Sequence, residues 1–396
     1  MGGAALASIY PFIAVILSGR GFATEAIGLV TGLAAVGFTI AVPAWGHLAD
    51  VRFGRVGAVR IAALGSAAAL ALFALPLPAA VLIACYLAWA VFESAIGPLS
   101  DALAVNALAD PARDYGRIRL LGSAGFAVPA VAIGLLYDRV GYGPAPLLYA
   151  AGAVVLALGL RGIPDRPRAD LSRYGQPARG GSIRVAFSVA PRLPGVVLAI
   201  ALAHVGVLAG FTYLGLHLVD LGGRPSDLAL SAAVSAFAEI PAMAVAGRVV
   251  RRIGLRGMFA VSALGYAACL ASWVLLDSPS LIIATRVVSG FAFSGLWVGS
   301  VLTMGAILPD RLQGTGQGIY QTTAFGLAAV VANAGGGFIY GSLGSGALFG
   351  STAVLGVAAA VVAWIALPRR GEGAIPAGNE PPPGEPLLTA GDAAGR

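Results

Sequence analysis

Twelve apolar runs follow one another through nearly the whole chain, at residues 4–18, 27–46, 59–75, 79–108, 119–136, 145–162, 193–217, 227–247, 257–276, 280–306, 315–339 and 347–367. About twenty apolar residues are what an α-helix needs to cross the hydrocarbon of a bilayer. Lipid offers the backbone no hydrogen-bond partners, so only helices or closed barrels span it. These runs are continuously apolar, whereas barrel strands alternate. The pattern predicts an all-α membrane protein of twelve transmembrane helices. Composition agrees, because 58% hydrophobic and 11% charged residues leave too little polar surface to cover a water-soluble globule of 396 residues. The lipid bilayer is therefore the expected surroundings. The first run is short for a span, which a start site placed too far downstream or a tilted short helix would each explain. No basic segment precedes it, so no cleavable signal peptide is expected.

The one long polar connection, from Arg161 to Arg192, is rich in Arg, Pro and Gly and splits the runs six and six. The expected organisation is a first six-helix half over 1–162, a cytoplasmic central loop over 163–192, a second half over 193–368 and a disordered tail over 369–396, where apolar periodicity is absent. An internal repeat supports the split. Gly134-Leu-Leu-Tyr137 through Gly141 to Gly143 is echoed by Gly337-Phe-Ile-Tyr340 through Gly344 to Gly346, and the stretch Gly46 to Arg55 has a weaker counterpart from Gly247 to Gly254.

The formal net charge of +7, all of its basic residues arginine, raises the possibility of a nucleic-acid partner. The arginines are spread over short connections, however, and fit membrane topology instead. With both termini in the cytoplasm, only Arg20, Arg139 and Arg224 fall outside, as the excess of basic residues in cytoplasmic loops requires. Cys85 and Cys269 lie in separate apolar runs and read as buried small side chains. No phosphate-binding Gly-Lys loop, zinc motif or nucleophile–base constellation occurs, so the sequence points to no enzyme, no metal and no cofactor.

Ionisable residues inside apolar runs are costly and therefore informative. Glu93 lies about fourteen residues into the fourth run, close to the membrane centre, and Glu239 is equally deep in the eighth, beside Pro241. Both are candidates for proton coupling, with a buried structural hydrogen bond as the competing reading. His204 in the seventh run is a third candidate, and a lone intramembrane histidine is as often a helix contact. Arg286 lies about six residues, roughly 9 Å, into the tenth run. Asn333 and Gln321 in the eleventh run could bind a substrate or join helices. Asp101, near the end of the fourth run, and Arg119, at the start of the fifth, would approach each other across a short hairpin, either in a watery cavity or as a structural pair. Arg117 reads as an interfacial anchor.

The stretch Asp114-Tyr115-Gly116-Arg117-Ile118-Arg119-Leu120-Leu121-Gly122, with Asp101 before it and Phe126 after it, resembles the hairpin between helices four and five in the lactose permease branch of the major facilitator superfamily. The likeness is greater to its phenylpropionate permease and nucleoside–proton symporter relatives. The stretch Gly46-His-Leu-Ala-Asp50-Val-Arg52-Phe-Gly54-Arg55 is similar to the superfamily's signature loop between helices two and three, and in its second-half counterpart Arg251 stands where the acid would be. The resemblance implies alternating access between two six-helix halves, a small-molecule substrate, the proton as coupling ion, a monomer, and the bacterial cytoplasmic membrane as location. It assigns Asp101, Arg119 and Phe126 to substrate, with Arg286 facing them from the second half, and Gly46, Asp50, Arg52, Gly54 and Arg55 to a conformational lock; Asn333, read from its place in the eleventh run, is a further candidate for the substrate. Ser289 and Ala292 stand where the lactose permease has its coupling histidine and glutamate, which leaves Glu93, Glu239 and His204 for that role. The expectation is a proton-coupled symporter of an aromatic acid, sugar or nucleoside. Efflux of a drug or metabolite is the alternative, and a non-transporting membrane sensor is the alternative of another class.

Overall fold

The computed structural model describes residues 2–107, 111–163 and 183–369, with side chains left aside at 105–107 and 111–121. Among the described residues, eight continuous stretches are long and apolar enough to cross a membrane, and three of them, Thr24–Phe73, Pro225–Leu275 and Asp310–Ala366, are about twice the length one crossing needs. Each of these three breaks at a glycine with positive φ, at Gly54 (68°), Gly254 (73°) and Gly344 (86°). Divided there, the helices are α1 (Gly2–Gly19), α2 (Thr24–Leu48), α3 (Gly54–Phe73), α4 (Ala79–Ala107), α5 (Pro111–Val140), α6 (Ala145–Gly159), α7 (Leu193–Asp220), α8 (225–253), α9 (254–275), α10 (Pro279–Ile307), α11 (313–343) and α12 (344–366). They fall on the apolar runs read from the sequence. Helix α6, at 15 residues, is only about 22 Å long.

The remaining positive-φ glycines are Gly21, Gly141 and Gly222, and among the described residues no other residue type takes positive φ. They pair by position as Gly21 with Gly222, Gly54 with Gly254, and Gly141 with Gly344, each pair about 200 residues apart. A side chain at such a φ meets its own backbone, so glycine is what the reversal requires. The tyrosines of the repeat are matched as well. Tyr137 Oη donates to the Ser8 carbonyl on α1 at 3.0 Å, and Tyr340 Oη donates to Asp220 on α7 at 2.5 Å.

Helices α1 to α6 pack chiefly on one another, as do α7 to α12, and the two groups meet along α2 with α11, α5 with α8 and α1 with α7. Part of the connection between them, expected to be loop throughout 163–192, is a short helix, Ile183–Val189, that buries Ala186 against the second group. Its apolar positions Ile183, Val185, Ala186 and Val189 explain the difference. Residues 164–182 and the tail from 370 lie outside the described residues. The turn at 46–55, expected as a loop, continues α2 through one wide π-helical turn, Ala49–Phe53, up to Gly54.

Candidate functional site

The junction between the two groups is built from small residues, which let helix backbones touch. A Cβ on Gly28 of α2 would lie 2.8 Å from the Cα of Gly337 on α11, and one on Gly337 would lie 2.8 Å from both the Cα of Gly28 and the carbonyl oxygen of Thr24. A Cβ on Gly134 of α5 would lie 3.0 Å from the Cα of Ser226 on α8. There the Ser226 backbone N–H donates to Asp138 Oδ1 at 2.9 Å, so a carboxylate of the first group caps a helix of the second. These contacts all lie at the end that carries Gly21, Gly141, Gly222 and Gly344, and they seal it.

Towards the other end the groups part. Thr39 on α2 still meets Gly326 on α11, where an added Cβ would be 3.1 Å away. Beyond that level Gln313–Gln321 of α11 packs on α7, α10 and the short helix of its own group. Cβ positions at Gly46, Gly97, Gly122, Gly125, Gly314 and Gly318 meet open space. Asp101 is exposed on this side, and Phe126 is half-buried. Arg117 and Arg119 fall among the side chains outside the described residues, so the Asp101–Arg119 pair stays an expectation.

Helix α11, which borders the opening and the seal alike, contains two wide π-helical turns, Thr322–Leu327 and Val331–Gly335. Such turns widen the helix and recur at functional positions. Asn333 lies in the second. Its carbonyl accepts the Tyr213 hydroxyl at 2.5 Å, and its Oδ1 accepts the Thr212 hydroxyl at 2.7 Å, both from α7. It is buried, and these bonds make it a junction of α7 and α11.

Glu93 points into its own group. The Tyr149 hydroxyl on α6 donates to its carboxylate and also lies 3.1 Å from Ser66 Oγ on α3, while the Trp89 ring meets Tyr149 edge-on at 5.9 Å. An acid is thus enclosed by three helices of the first group. In the second group Arg286 is 4% exposed. Its Nη1 donates to Ser289 Oγ at 2.8 Å and its Nε to the Ser231 carbonyl on α8 at 3.4 Å, and its guanidinium lies 5.7 Å from the ring centre of Trp273 on α9. The Tyr266 hydroxyl on α9 donates to the Val207 carbonyl on α7 at 3.3 Å. The Glu239 carbonyl accepts from Ser294 on α10 at 3.4 Å, and α8 stays helical through Pro241.

His204 is fully buried on α7, its Nδ1 2.9 Å from the Ile200 carbonyl. His217 is buried too, with Nε2 at 3.1 Å from the Trp273 carbonyl. At the lock motif, Asp50 Oδ1 and Arg55 Nε are 3.9 Å apart, Arg52 lies over Phe53, and Gly46 has open space beside it. The Asp50–Arg55 pair is too exposed to contribute much energy. Sequence reasoning missed Ser66, Tyr149, Thr212, Tyr213, Tyr266 and Trp273, the partners of the buried polar groups. A hydroxyl or indole N–H within an apolar run was the available signal.

The chain is 29% identical over 343 residues to the maltose permease of Geobacillus stearothermophilus, covering 85% of this chain and 84% of that protein. It is 26% identical over 340 residues to the uncharacterized transporter YwbF of Bacillus subtilis (strain 168), with 84% and 82% covered. Its fold is similar to the nucleoside transporter NupG, with TM-score 0.78, 14% identity and coverage of 92% and 95%. The D-xylose–proton symporter gives 0.69, 16%, and 93% and 96%. A family model described as the MFS_1 like family matches residues 3–351, so this chain, a membrane transporter and not an enzyme, belongs to that family of the major facilitator superfamily.

Proposed function

We propose that this transporter is a proton-coupled symporter of a small neutral, hydroxyl-rich solute, a sugar or nucleoside. The observation that carries the reading is the one-sided junction, with backbones touching at Gly28–Gly337 and Gly134–Ser226 while the far end of α11, Gln313–Gln321, packs on its own group. Rocking the two groups about the middle of α2, α5, α8 and α11 would open the sealed end and close the other, which is alternating access. In this reading the sealed end faces outward, both termini are cytoplasmic, the protein works as a monomer in a bacterial cytoplasmic membrane, and the proton is its coupling ion with no other cofactor.

The substrate class follows from the charges. A carboxylate clamp formed by Arg119 and Arg286 would favour an aromatic acid, but Arg286 engages its donors within α8–α10. Asp101 and the half-buried Phe126 offer a hydrogen-bond acceptor and a stacking face instead, which suits a neutral polyol or nucleoside. Glu93, bonded to Tyr149, and Glu239, deep in α8, supply the titrating groups. The maltose permease relative and the sugar and nucleoside neighbours are consistent with that class.

Purified protein in liposomes tests this with radiolabelled maltose, xylose, uridine and phenylpropionate, with and without an inward proton gradient. Gradient-stimulated accumulation of a sugar or nucleoside is expected. Phenylpropionate accumulation alone would overturn the substrate class, and uptake indifferent to the gradient would overturn coupling. Proton-driven extrusion would replace import with efflux.

A further inference from the structure

Three fully buried polar atoms without a protein partner lie on neighbouring helices of the second group. They are His204 Nε2 on α7, Ser300 Oγ on α10 and Tyr320 Oη on α11. Helical register brings the first two together. Phe211 on α7 packs against Phe293 on α10 with ring centres 5.4 Å apart, and the two helices run in opposite directions. Two turns from that contact, seven residues along each helix, His204 and Ser300 reach the same level on the same faces. Tyr320 meets His204 edge-on at 6.0 Å, and Phe325 and Trp297 close the remaining sides, at 5.6 Å from His204 and 6.3 Å from Tyr320 respectively.

The donor and acceptor roles are fixed. A carbonyl only accepts, so the contact to Ile200 puts the proton on His204 Nδ1 and leaves Nε2 of the neutral ring as an acceptor. Tyr320 holds a proton to give, and Ser300 can give one and accept one. None of the three bonds another directly, although buried polar groups nearly always have a partner in protein or ordered water.

We propose that one ordered water molecule is bound among His204 Nε2, Ser300 Oγ and Tyr320 Oη. It donates to Nε2, accepts from the Tyr320 hydroxyl and exchanges a hydrogen bond with Ser300. Three bonds is the usual complement of a buried water, and each of the three atoms then has a partner. The site selects a small neutral molecule able both to donate and to accept, and it links α7, α10 and α11 through something that can leave. The position of α11, the helix with the two wide turns, then depends on hydration inside the second group.

The full-length protein in lipid nanodiscs, determined at a resolution that shows solvent, should carry a density peak within hydrogen-bonding distance of all three atoms. Nitrogen NMR of histidine-labelled protein should report an unprotonated, hydrogen-bonded His204 Nε2. Tyr320→Phe should lose the peak and lower the thermal midpoint. Empty space among the three atoms, a direct bond between any two of them, or a protonated Nε2 would each overturn the proposal. The wild-type map and spectrum decide even where the variant does not fold.

Discussion

Asp138 on α5 accepts the backbone N–H of Ser226, in the first turn of α8, at 2.9 Å across the junction of the two helical groups. Capping side chains contribute about 1 kcal/mol to the helix they cap. Here the cap joins separate bodies, so it holds the sealed end closed as well. Asp138→Ala should shift the balance towards opening at that end by about fivefold, the equivalent of about 1 kcal/mol. Spin-label distances across α5 and α8 would record the shift, and an unchanged distribution would show that the cap serves α8 alone.

Bulk at the glycine contact should act in the same direction and more strongly. Gly28→Val places its Cβ against Gly337 and the Tyr213 hydroxyl, 2.8 and 2.7 Å away. Backbone lies on the far side, so nothing there yields cheaply. Transport should fall to background while the protein still reaches the membrane, as measured by uptake against surface abundance. Gly350→Ala on α12, where an added Cβ meets open space, is the matched control and should transport normally.

Glu93 and Tyr149 form the polar centre of the first group. Glu93→Gln keeps a side chain of the same size and removes its charge. Accumulation driven by a proton gradient should be lost while solute exchange without a gradient persists. Tyr149→Phe leaves the carboxylate without its donor and should cost about 1–3 kcal/mol of stability, read as a lower thermal midpoint. Retained gradient-driven accumulation in Glu93→Gln would make this acid purely structural.

Arg286 is held by Ser289, the Ser231 carbonyl and the Trp273 face, geometry that suits a planar, forked cation. Arg286→Lys keeps the charge but not the fork. It should melt several degrees lower, and Arg286→Met, which leaves Ser289 and the Ser231 carbonyl without their donor, lower still. A Met variant as stable as wild type would show that the guanidinium adds nothing to the packing of α8 on α10.

The helices were legible in the sequence because apolar length is read directly, and the breaks at Gly54, Gly254 and Gly344 fall where polar residues or glycines interrupt it. The direction of each side chain was not. In α4 nearly every neighbour of Glu93 is apolar, so periodicity does not distinguish a face towards the junction from a face towards α3 and α6. Depth placed Glu93 near the membrane centre, and only packing turned it towards Tyr149. The depth of Arg286 was likewise readable, while its hold on Ser231 comes from a helix 55 residues away. The sealed junction was half legible. The glycine-rich stretch 335–337 reads as close helix packing, and Gly337 does touch Gly28, but nothing about Gly28 names it as the partner.

The paired glycines carry a consequence for descent. Gly54 and Gly254 bend the chain at corresponding places, yet Asp50 precedes one and Arg251 the other. After an ancestral duplication the joints were kept in both copies while the charges beside them diverged. Within this molecule the backbone joints are common to both halves while the charges beside them differ, so the two halves can bend alike and still be chemically unequal.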